Sequence, residues 1–271
     1  MAARVASLHV YPVKSCRGIE LESSPVGERG LAFDREWMIV DTDGRFVTQR
    51  DVPRLALIVP SLTDAALELE TPGSGRLGVP LDVDGATRPV TVWRDSFPAI
   101  DQGDEAAAWL SSALQRPLRL VRFDPAVRRH CNVTYVGASG AHTAFADAYP
   151  MLILSQASLA DLNSRLSQPL PMNRFRPNVV LSGINAYDED HIDEIRLGAL
   201  ALKLVKRCTR CQITTTDQST ATVGVEPLPT LAGYRMNDEL GGVTFGMNAI
   251  VAGGAGLAIH RGDRASCTFN F

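Results

Sequence analysis

The apolar residues of this chain fall in short runs separated by turn signals, and the β-like runs outnumber the helical ones. Leu8 and Val10 alternate with less apolar neighbours, and Thr42-Asp43-Gly44 separates two β-like runs, Glu36 to Asp41 and Arg45 to Gln49. Period-two alternation and an Asp-Gly turn between two runs are typical of strands and hairpins. Because the strands do not alternate with helices, as βαβ units would require, we predict a mainly β fold of the α+β class with peripheral helices.

Three further elements are predicted from local signals. Leu55 to Val59 has the composition of a strand. Helices are expected from Asp104 to Gln115, where Asp104 can cap the first turn, and from about Ser158 to Leu166, where Ser158 with Asp161 resembles a capping box.

The stretch from Pro125 to Gly140 is polar and has little periodicity, which is typical of a junction between domains. We therefore predict two domains, an N-terminal β-barrel-like domain over residues 1–125 and a second β-barrel domain over residues 126–271. A chain of 271 residues is long enough for two modest domains or one large one.

Composition excludes several classes of function. The net charge of −3 gives no bulk attraction to nucleic acid or to anionic lipid. No apolar run reaches the ~18 residues that a membrane span needs, and His9 and Pro12 interrupt the start too early for a signal-peptide core. The five cysteines are odd in number and sparse, which favours reduced thiols and a cytoplasmic location.

The segment Lys206 to Cys211 places two thiols and three cations within six residues, directly after a β-like run. Neighbouring cations favour the thiolate, which is the form that binds soft metals or attacks disulfides. The same cations suit a phosphate group, since arginine forms forked hydrogen bonds and lysine acts as a point charge. A thiolate beside such cations indicates a metal cofactor that carries its own phosphate.

Other readings of Cys208-x-x-Cys211 stay open on spacing alone. A zinc site lacks a second pair of cysteines or histidines at a matching distance. A redox-active dithiol is expected at the start of a helix in a βαβ unit, whereas this pair follows a strand and precedes β-branched residues. The two cysteines could also be small buried side chains, although the charges of Arg207 and Arg210 oppose burial of the whole segment.

A second basic cluster lies in Tyr11 to Gly18, where Pro12 and Gly18 bracket a turn that carries Lys14, Ser15 and Arg17. Such donors with free backbone amides could hold a phosphate, and a solvated basic turn is the alternative. The chain contains no P-loop, no Gly-x-Gly-x-x-Gly fingerprint and no Gly-x-Ser-x-Gly elbow.

Taken together, these segments resemble the MOSC family, named after the C-terminal domain of molybdenum-cofactor sulfurase, with its N-terminal β-barrel domain. The resemblance spans nearly the whole chain and is carried by Tyr11 to Ser15, Gly30 to Arg35, Phe145 to Asp147, Tyr149-Pro150, Ser155 to Asn163, Phe175 to Asn178, Cys208 to Cys211 and Phe245 to Asn248.

The resemblance implies a set of site residues. In the family the second cysteine of the motif ligates molybdenum, and this position is Cys211 here, whereas Cys208 falls on a non-ligand position. The positions that hold the pterin and its phosphate are matched by Lys14, Ser15, Arg35, Arg176, Thr209, Arg210 and Asn248. Relatives commonly have serine at Thr209, and the residue at Asn248 varies among them.

The resemblance also implies reductive removal of oxygen from N-hydroxylated compounds such as hydroxylamino bases and amidoximes. The chain has no flavin motif and no iron–sulfur cysteine set, so we expect a separate electron donor: a flavoprotein, a ferredoxin or a cytochrome. A non-catalytic carrier of the cofactor and a sulfur-transfer protein are the alternatives. Family descriptions also mention pyridoxal phosphate, which needs a free desolvated lysine, while Lys14 is already assigned to phosphate.

Overall fold

The computed structural model describes residues 3–82 and 85–270. The described part of the chain folds mainly into strands, with four α-helices and short 3-10 turns at the periphery, which confirms the predicted fold class. The strands are β1 (Arg4–Val10), β2 (Ile19–Leu21), β3 (Ser23–Gly27), β4 (Gly30–Leu31), β5 (Trp37–Val40), β6 (Val59–Leu62), β7 (Ala66–Glu70), β8 (Arg76–Pro80), β9 (Thr87–Val92), β10 (Asp95–Asp101), β11 (Arg119–Phe123), β12 (Arg129–His130), β13 (His142–Thr143), β14 (Met151–Ser155), β15 (Val179–Ser182), β16 (Ile192–Leu197), β17 (Leu200–Thr209), β18 (Met236–Asn237), β19 (Gly242–Gly253), β20 (Ala258–His260) and β21 (Ser266–Phe269). The α-helices are α1 (Gly103–Leu114), α2 (Val133–Val136), α3 (Gln156–Ser164) and α4 (Leu228–Arg235).

The largest sheet joins the two ends of the chain. Its strand order is β2-β1-β15-β14-β19-β17-β16-β21, with β18 paired to β19. The N-terminal strand β1 pairs antiparallel with β15, placing Leu8 opposite Val179. Tyr11, Lys14 and Ser15, which follow β1, are therefore carried to the C-terminal half of the molecule. The predicted boundary near residue 125 stays a prediction.

Residues 37–123 build two smaller sheets, β5-β11-β10-β9 and β6-β7-β8, with α1 packed against them. Alternate residues of β7 and β8, including Leu67, Leu69 and Val79, are buried in one apolar cluster with Leu110 and Leu114 of α1. One face of each strand is thus covered by the helix and the other faces solvent, as expected for an antiparallel sheet.

The three elements predicted from local signals differ in detail from the structure: both helices form, but with other starts and caps, and the strand is displaced by a few residues. Pro53–Leu57 forms a 3-10 turn, because Pro53 fixes its own backbone angle at the first helical position, and β6 begins only at Val59. Helix α1 begins before Asp104, and the Asp101 carboxylate accepts the Gly103 amide at 2.8 Å.

Helix α3 begins at Gln156, slightly before its predicted start, and has a different cap. Ser155, rather than Ser158, caps it by accepting the Ser158 amide at 2.9 Å. Ser155 ends the buried strand β14, so the strand leads directly into the helix without a loop.

Gly246 lets two central strands approach closely. Its φ is +79°, and a Cβ at this position would lie 2.8 Å from the carbonyl oxygen of Ile153 in β14. A larger residue would be strained by both the backbone angle and the contact. The close approach helps to set the register between β14 and β19. In this register Asn248, two residues further along β19, pairs with Leu152.

Glu189 is expected to make the stability of the fold depend on pH. Its side chain is fully buried: Oε1 accepts the Ser155 amide at 3.1 Å, and Oε2 has no partner among the described residues. Burial raises the pKa of Glu189 above 4.5 against the opposing hydrogen bonds from Ser158 and Ser155. Its stabilising contribution is therefore complete below the unfolded pKa and is lost as the pH rises through the folded pKa.

Replacing Glu189 with glutamine tests this pH dependence. We expect Glu189→Gln to raise the free energy of unfolding at pH 8 by about 1–3 kcal/mol and to leave it nearly unchanged at pH 4. Urea unfolding of both proteins at several pH values measures this difference. A constant difference between the two proteins across the range would contradict it.

Candidate functional site

One cavity of about 210 Å³ brings together all eight residues that the sequence predicted for the site. They are Lys14, Ser15, Arg35, Arg176, Thr209, Arg210, Cys211 and Asn248. The first three come from the N-terminal part of the chain and the other five from the C-terminal half. At least 20 positions separate each of the five groups of site residues from the next in the sequence, so the cavity is a product of the fold rather than of any single motif.

The cavity wall is strongly cationic. Its charged side chains are six cations and one carboxylate: Lys14, Arg35, Arg176, Lys206, Arg207, Arg210 and Asp147. Like charges held this close repel one another, and the low dielectric of a partly buried cavity strengthens the repulsion. An anionic ligand would relieve it, so the wall suits a phosphate or another anion.

Three of the lining residues adopt a backbone conformation that side chains rarely take. The φ angles of Ser15, Arg35 and Arg176 are +68°, +47° and +56°. Non-glycine residues in this region cost about 1–3 kcal/mol each and persist only where the surroundings enforce them. Their concentration around one cavity indicates that the fold holds these side chains in fixed positions.

Lys14 is held at the rim of the cavity. Only 6% of the residue is exposed, and Nζ donates to the Phe145 carbonyl at 2.7 Å and to Asp147 Oδ1 at 2.5 Å. Burial lowers the pKa of Lys14, and the Asp147 carboxylate opposes this shift. Because 56% of the Asp147 side chain is exposed, solvent screens the pair and the net stabilisation is small.

Tyr11 organises the two arginines of the cationic wall. Its ring lies between Arg35 and Arg176, with guanidinium carbons 4.3 and 4.2 Å from the ring centroid. The Asp34 carboxylate accepts a hydrogen bond from the Tyr11 amide at 2.9 Å. It also accepts one from Arg35 NH1 at 2.5 Å, which holds the Arg35 side chain in place. Burial, with a further contribution from Arg35, lowers the pKa of Arg176 to about 10.

Asn178 and the main chain complete the hydrogen bonding of this arginine pair. Arg35 NH1 also donates to Asn178 Oδ1 at 3.0 Å, and Arg35 NH2 donates to the Arg176 carbonyl at 3.1 Å. Arg176 NH1 donates to the Cys16 carbonyl at 2.6 Å. No other hydrogen bond of the Arg176 guanidinium is found in the described part of the chain, so its remaining N–H groups are available to a ligand.

The two cysteines differ in what surrounds their sulfur atoms. Cys208 lies near the end of β17, and its Sγ accepts a hydrogen bond from Arg210 NH1 at 3.1 Å. Cys211 precedes the 3-10 turn Gln212–Thr215, where its carbonyl accepts from Thr214. Within residues 3–82 and 85–270 the Cys211 thiol makes no hydrogen bond, so its half-buried sulfur is the uncommitted one.

Arg210 connects this thiol segment to the cationic wall. Its NH2 donates to the Phe175 carbonyl at 2.7 Å, while its Nε is buried and finds no partner among the described residues. A buried N–H without a partner is costly, and an acceptor supplied by a ligand would satisfy it.

Protein side chains alone do not provide a complete metal site in the described part of the chain. No group of three or more His, Cys, Asp or Glu side chains there could hold a metal ion. A metal bound by Cys211 would therefore need further ligands from a non-protein group. The thiol, the cations and the unpartnered Arg210 Nε fit an anionic organic cofactor that brings a soft metal with it.

Sequence reasoning did not assign several residues that form this site. Asp147 and Asn178 line the cavity, and Trp93 donates from Nε1 to Asp147 Oδ1 at 3.1 Å. Lys206 and Arg207, which the sequence indicated only as cations beside the thiols, line it as well. Asp147 and Asn178 belong to segments that carried the family resemblance, which was the signal available for them. Trp93 lies in the turn between β9 and β10, far from the site in sequence, and only the tertiary fold brings it there.

Comparison with known proteins gives two family matches. Residues 2–117 match the MOSC N-terminal beta barrel domain, and residues 140–266 match the MOSC domain. The chain is 39% identical to mitochondrial amidoxime-reducing component 1 of Mus musculus, over 86% of this chain and 72% of that protein. It is 37% identical to mitochondrial amidoxime reducing component 2 of Rattus norvegicus, over 86% of this chain and 73% of that protein.

A solved structure, YiiM from Geobacillus stearothermophilus, is 15% identical, covers 44% of this chain and 54% of its own, and has a TM-score of 0.32. That score is too low to carry an argument about this fold. In the described part of the chain, every helix is too short or too polar to cross a bilayer. The relatives are named as mitochondrial, and the cytoplasmic location expected from the sequence stays a prediction.

Proposed function

This chain belongs to the MOSC family, and we propose that it is a molybdenum-cofactor-dependent oxidoreductase that reduces N-hydroxylated compounds. The observation that carries the proposal is the single cavity in which an uncommitted thiol, Cys211, faces the same space as six cations drawn from both halves of the chain. The names of the relatives, which are amidoxime-reducing components, support the substrate class.

The cavity contains groups suited to both parts of such a cofactor. Cys211 would ligate molybdenum, because a thiolate is a soft ligand. Lys14, Ser15, Arg35, Arg176, Thr209, Arg210 and Asn248 would hold the pterin and its phosphate. When bound, the cofactor supplies two-electron chemistry that can remove an oxygen atom from nitrogen, as cofactors do the chemistry that side chains cannot.

The protein's own groups orient the reactants and balance their charge. The negative charge of a bound cofactor would be compensated by three cations of the cavity wall, Lys14, Arg35 and Arg176. Asp147 lies at the exposed rim and keeps Lys14 in place through Oδ1, so water can reach the cavity there and supply the protons that reduction consumes. Electrons would come from a separate flavoprotein, ferredoxin or cytochrome.

Activity assays test this function. Protein from a host that makes the cofactor should reduce an amidoxime or hydroxylaminopurine when a chemical reductant such as reduced methyl viologen is supplied, and NADH alone should give no turnover. Turnover from NADH without any other protein would remove the need for a separate donor. Molybdenum-loaded protein that is inactive with every reductant would instead point to a carrier of the cofactor.

Anion binding should weaken at alkaline pH because of Lys14. A lysine whose folded pKa lies below its unfolded value of 10.5 loses its proton first in the folded state. Its burial cost is therefore present at neutral pH and disappears as the pH rises past the unfolded value. An anion beside Lys14 favours the protonated form, so anion affinity is lost as the pH rises through the lowered pKa.

Sulfate is a suitable probe of this effect, since its charge is constant above neutral pH. We expect the rise in melting temperature that sulfate gives the cofactor-free protein to shrink between pH 7 and pH 10. The variant Lys14→Met should show a smaller rise that shrinks less over this range, because Arg176, whose lowered pKa is about 10, still titrates at its upper end. An equal pH dependence in both proteins would exclude Lys14 as the cause.

A further inference from the structure

Behind the cavity, two buried glutamines from distant parts of the chain form a reciprocal pair. Gln49 and Gln218 are 1% and 3% exposed. Gln49 Nε2 donates to Gln218 Oε1 at 3.0 Å, and Gln218 Nε2 donates to Gln49 Oε1 at 2.9 Å. Each side chain thus satisfies the other where water has little access.

The remaining amide hydrogens of the pair are also used. Gln49 Nε2 donates to the Ser15 carbonyl at 2.7 Å, and Gln218 Nε2 donates to the Thr216 carbonyl at 3.0 Å. An amide nitrogen carries two hydrogens, so all four donors of the pair have partners. This full use fixes the orientation of both amides and leaves no freedom to rotate them.

The pair connects two segments that contribute to the cavity wall. Ser15 belongs to the turn that follows β1, whereas Thr216 ends the 3-10 segment that begins after Cys211. Arg17, in the same turn as Ser15, adds a bond from NH2 to the Gln218 carbonyl at 2.7 Å. A cross-link therefore runs from the Ser15 turn through Gln49 and Gln218 to the segment that carries Cys211.

We propose that Gln49 and Gln218 are positioning residues that hold the Ser15 turn in register with the Cys211 segment, so that one cofactor can contact both segments. This inference rests on the proposed function. Ser15 keeps its φ of +68° only where the surroundings enforce it, and the bond from Gln49 to its carbonyl is one such restraint. Partners behind the ligands orient them and commonly affect affinity as much as the ligands do.

The roles of the two glutamines are unequal, which provides a discriminating test. Only Gln49 bonds directly to Ser15, so Gln49→Glu removes the donor to the Ser15 carbonyl and faces it with a carboxylate. Gln218→Glu keeps an acceptor for Gln49 Nε2 and leaves the Ser15 contact in place. Both variants bury the same charge, so a purely structural role would affect them alike. Gln49→Met removes the same donor without adding a charge.

The experiment measures loss of molybdenum and pterin from the purified protein during dialysis, together with the melting temperature of the cofactor-free form. We expect Gln49→Glu and Gln49→Met to lose the cofactor about tenfold faster than wild type or more, and Gln218→Glu to lie between them and wild type. The control Asn163→Ala removes the two hydrogen bonds between the Asn163 side chain and the Leu170 main chain, away from the cavity. It should lower the melting temperature and leave the rate of cofactor loss unchanged.

Three results would overturn the inference, and they have different consequences for the proposed function. If wild type holds molybdenum and the Gln49 variants release it at the wild-type rate, the positioning role is wrong while the proposed function stands. If wild type from a cofactor-competent host holds no molybdenum, the proposed function fails and the inference fails with it. Equal acceleration in Gln218→Glu and Gln49→Glu would reduce the pair to a structural role.

Discussion

The variant Cys211→Ala, purified from a host that makes the cofactor, is expected to contain no molybdenum and to reduce no N-hydroxylated substrate. Cys211 carries the thiol in the cavity that no neighbouring group engages in the described part of the chain, so a metal can bond to it without displacing a protein contact. No group of three or more His, Cys, Asp or Glu side chains there could hold the metal without the cofactor. Activity should fall to background, because the redox centre is lost with the metal.

Cys208→Ala is the matched control for this loss, since it removes a half-buried thiol three residues away. Its sulfur accepts a hydrogen bond from Arg210, which has a second anchor at the Phe175 carbonyl. We expect this variant to keep its metal, with activity within about tenfold of wild type, the loss that one weakened hydrogen bond can cause. Elemental analysis and turnover with reduced methyl viologen measure both effects. Metal loss in Cys208→Ala but not in Cys211→Ala would reverse the assignment of the ligand.

Removal of the Arg176 cation is expected to have the second largest effect. Among the described residues the Arg176 guanidinium makes one hydrogen bond, to the Cys16 carbonyl, and it otherwise lines the cavity against Tyr11. A charge-assisted hydrogen bond contributes about 1.5–3 kcal/mol, so Arg176→Met should weaken cofactor retention about 10- to 150-fold. Cofactor retention in Arg176→Lys should lie between those of wild type and Arg176→Met, because lysine keeps the charge but lacks the planar guanidinium fork.

The stability of the cofactor-free Arg176→Met variant should not fall, although its cofactor retention does. Burial and the neighbouring Arg35 lower the pKa of Arg176 to about 10, so both disfavour its charge. We therefore expect the melting temperature of the cofactor-free variant to equal or exceed that of wild type while cofactor retention falls. The exposed Arg165, which pairs with Asp161 on α3, provides the control Arg165→Met. A lower melting temperature with unchanged retention in Arg176→Met would contradict this account.

The sequence was sufficient for the fold class because alternation and turn chemistry are local. Ser155 and Pro53 show where local signals were ambiguous: each changed the start of a segment by a few residues, through a cap or a fixed backbone angle. The run Arg45 to Gln49 was expected to be a strand, and it makes only isolated bridges at Arg45 and Phe46. The turn before this run is instead organised by the Asp41 carboxylate, which accepts hydrogen bonds from the Asp43 and Arg45 amides.

The candidate site depended on the family resemblance, because no local pattern indicates that Arg35 and Arg176 meet across the Tyr11 ring. The pairing of β1 with β15 produces that meeting, and such long-range pairing leaves no periodic signal in either segment. Trp93, Gln49 and Gln218 were missed for the same reason. Their partners lie 54, 34 and 169 positions away, and each side chain is unremarkable on its own.

Elemental analysis of freshly purified protein from a cofactor-competent host is the most direct test of the central claim that Cys211 binds molybdenum within an anionic cofactor. The account predicts molybdenum in equimolar ratio to the chain, released pterin in the same amount, and neither in Cys211→Ala. Zinc or iron in place of molybdenum, or molybdenum retained in full without the Cys211 sulfur, would contradict it.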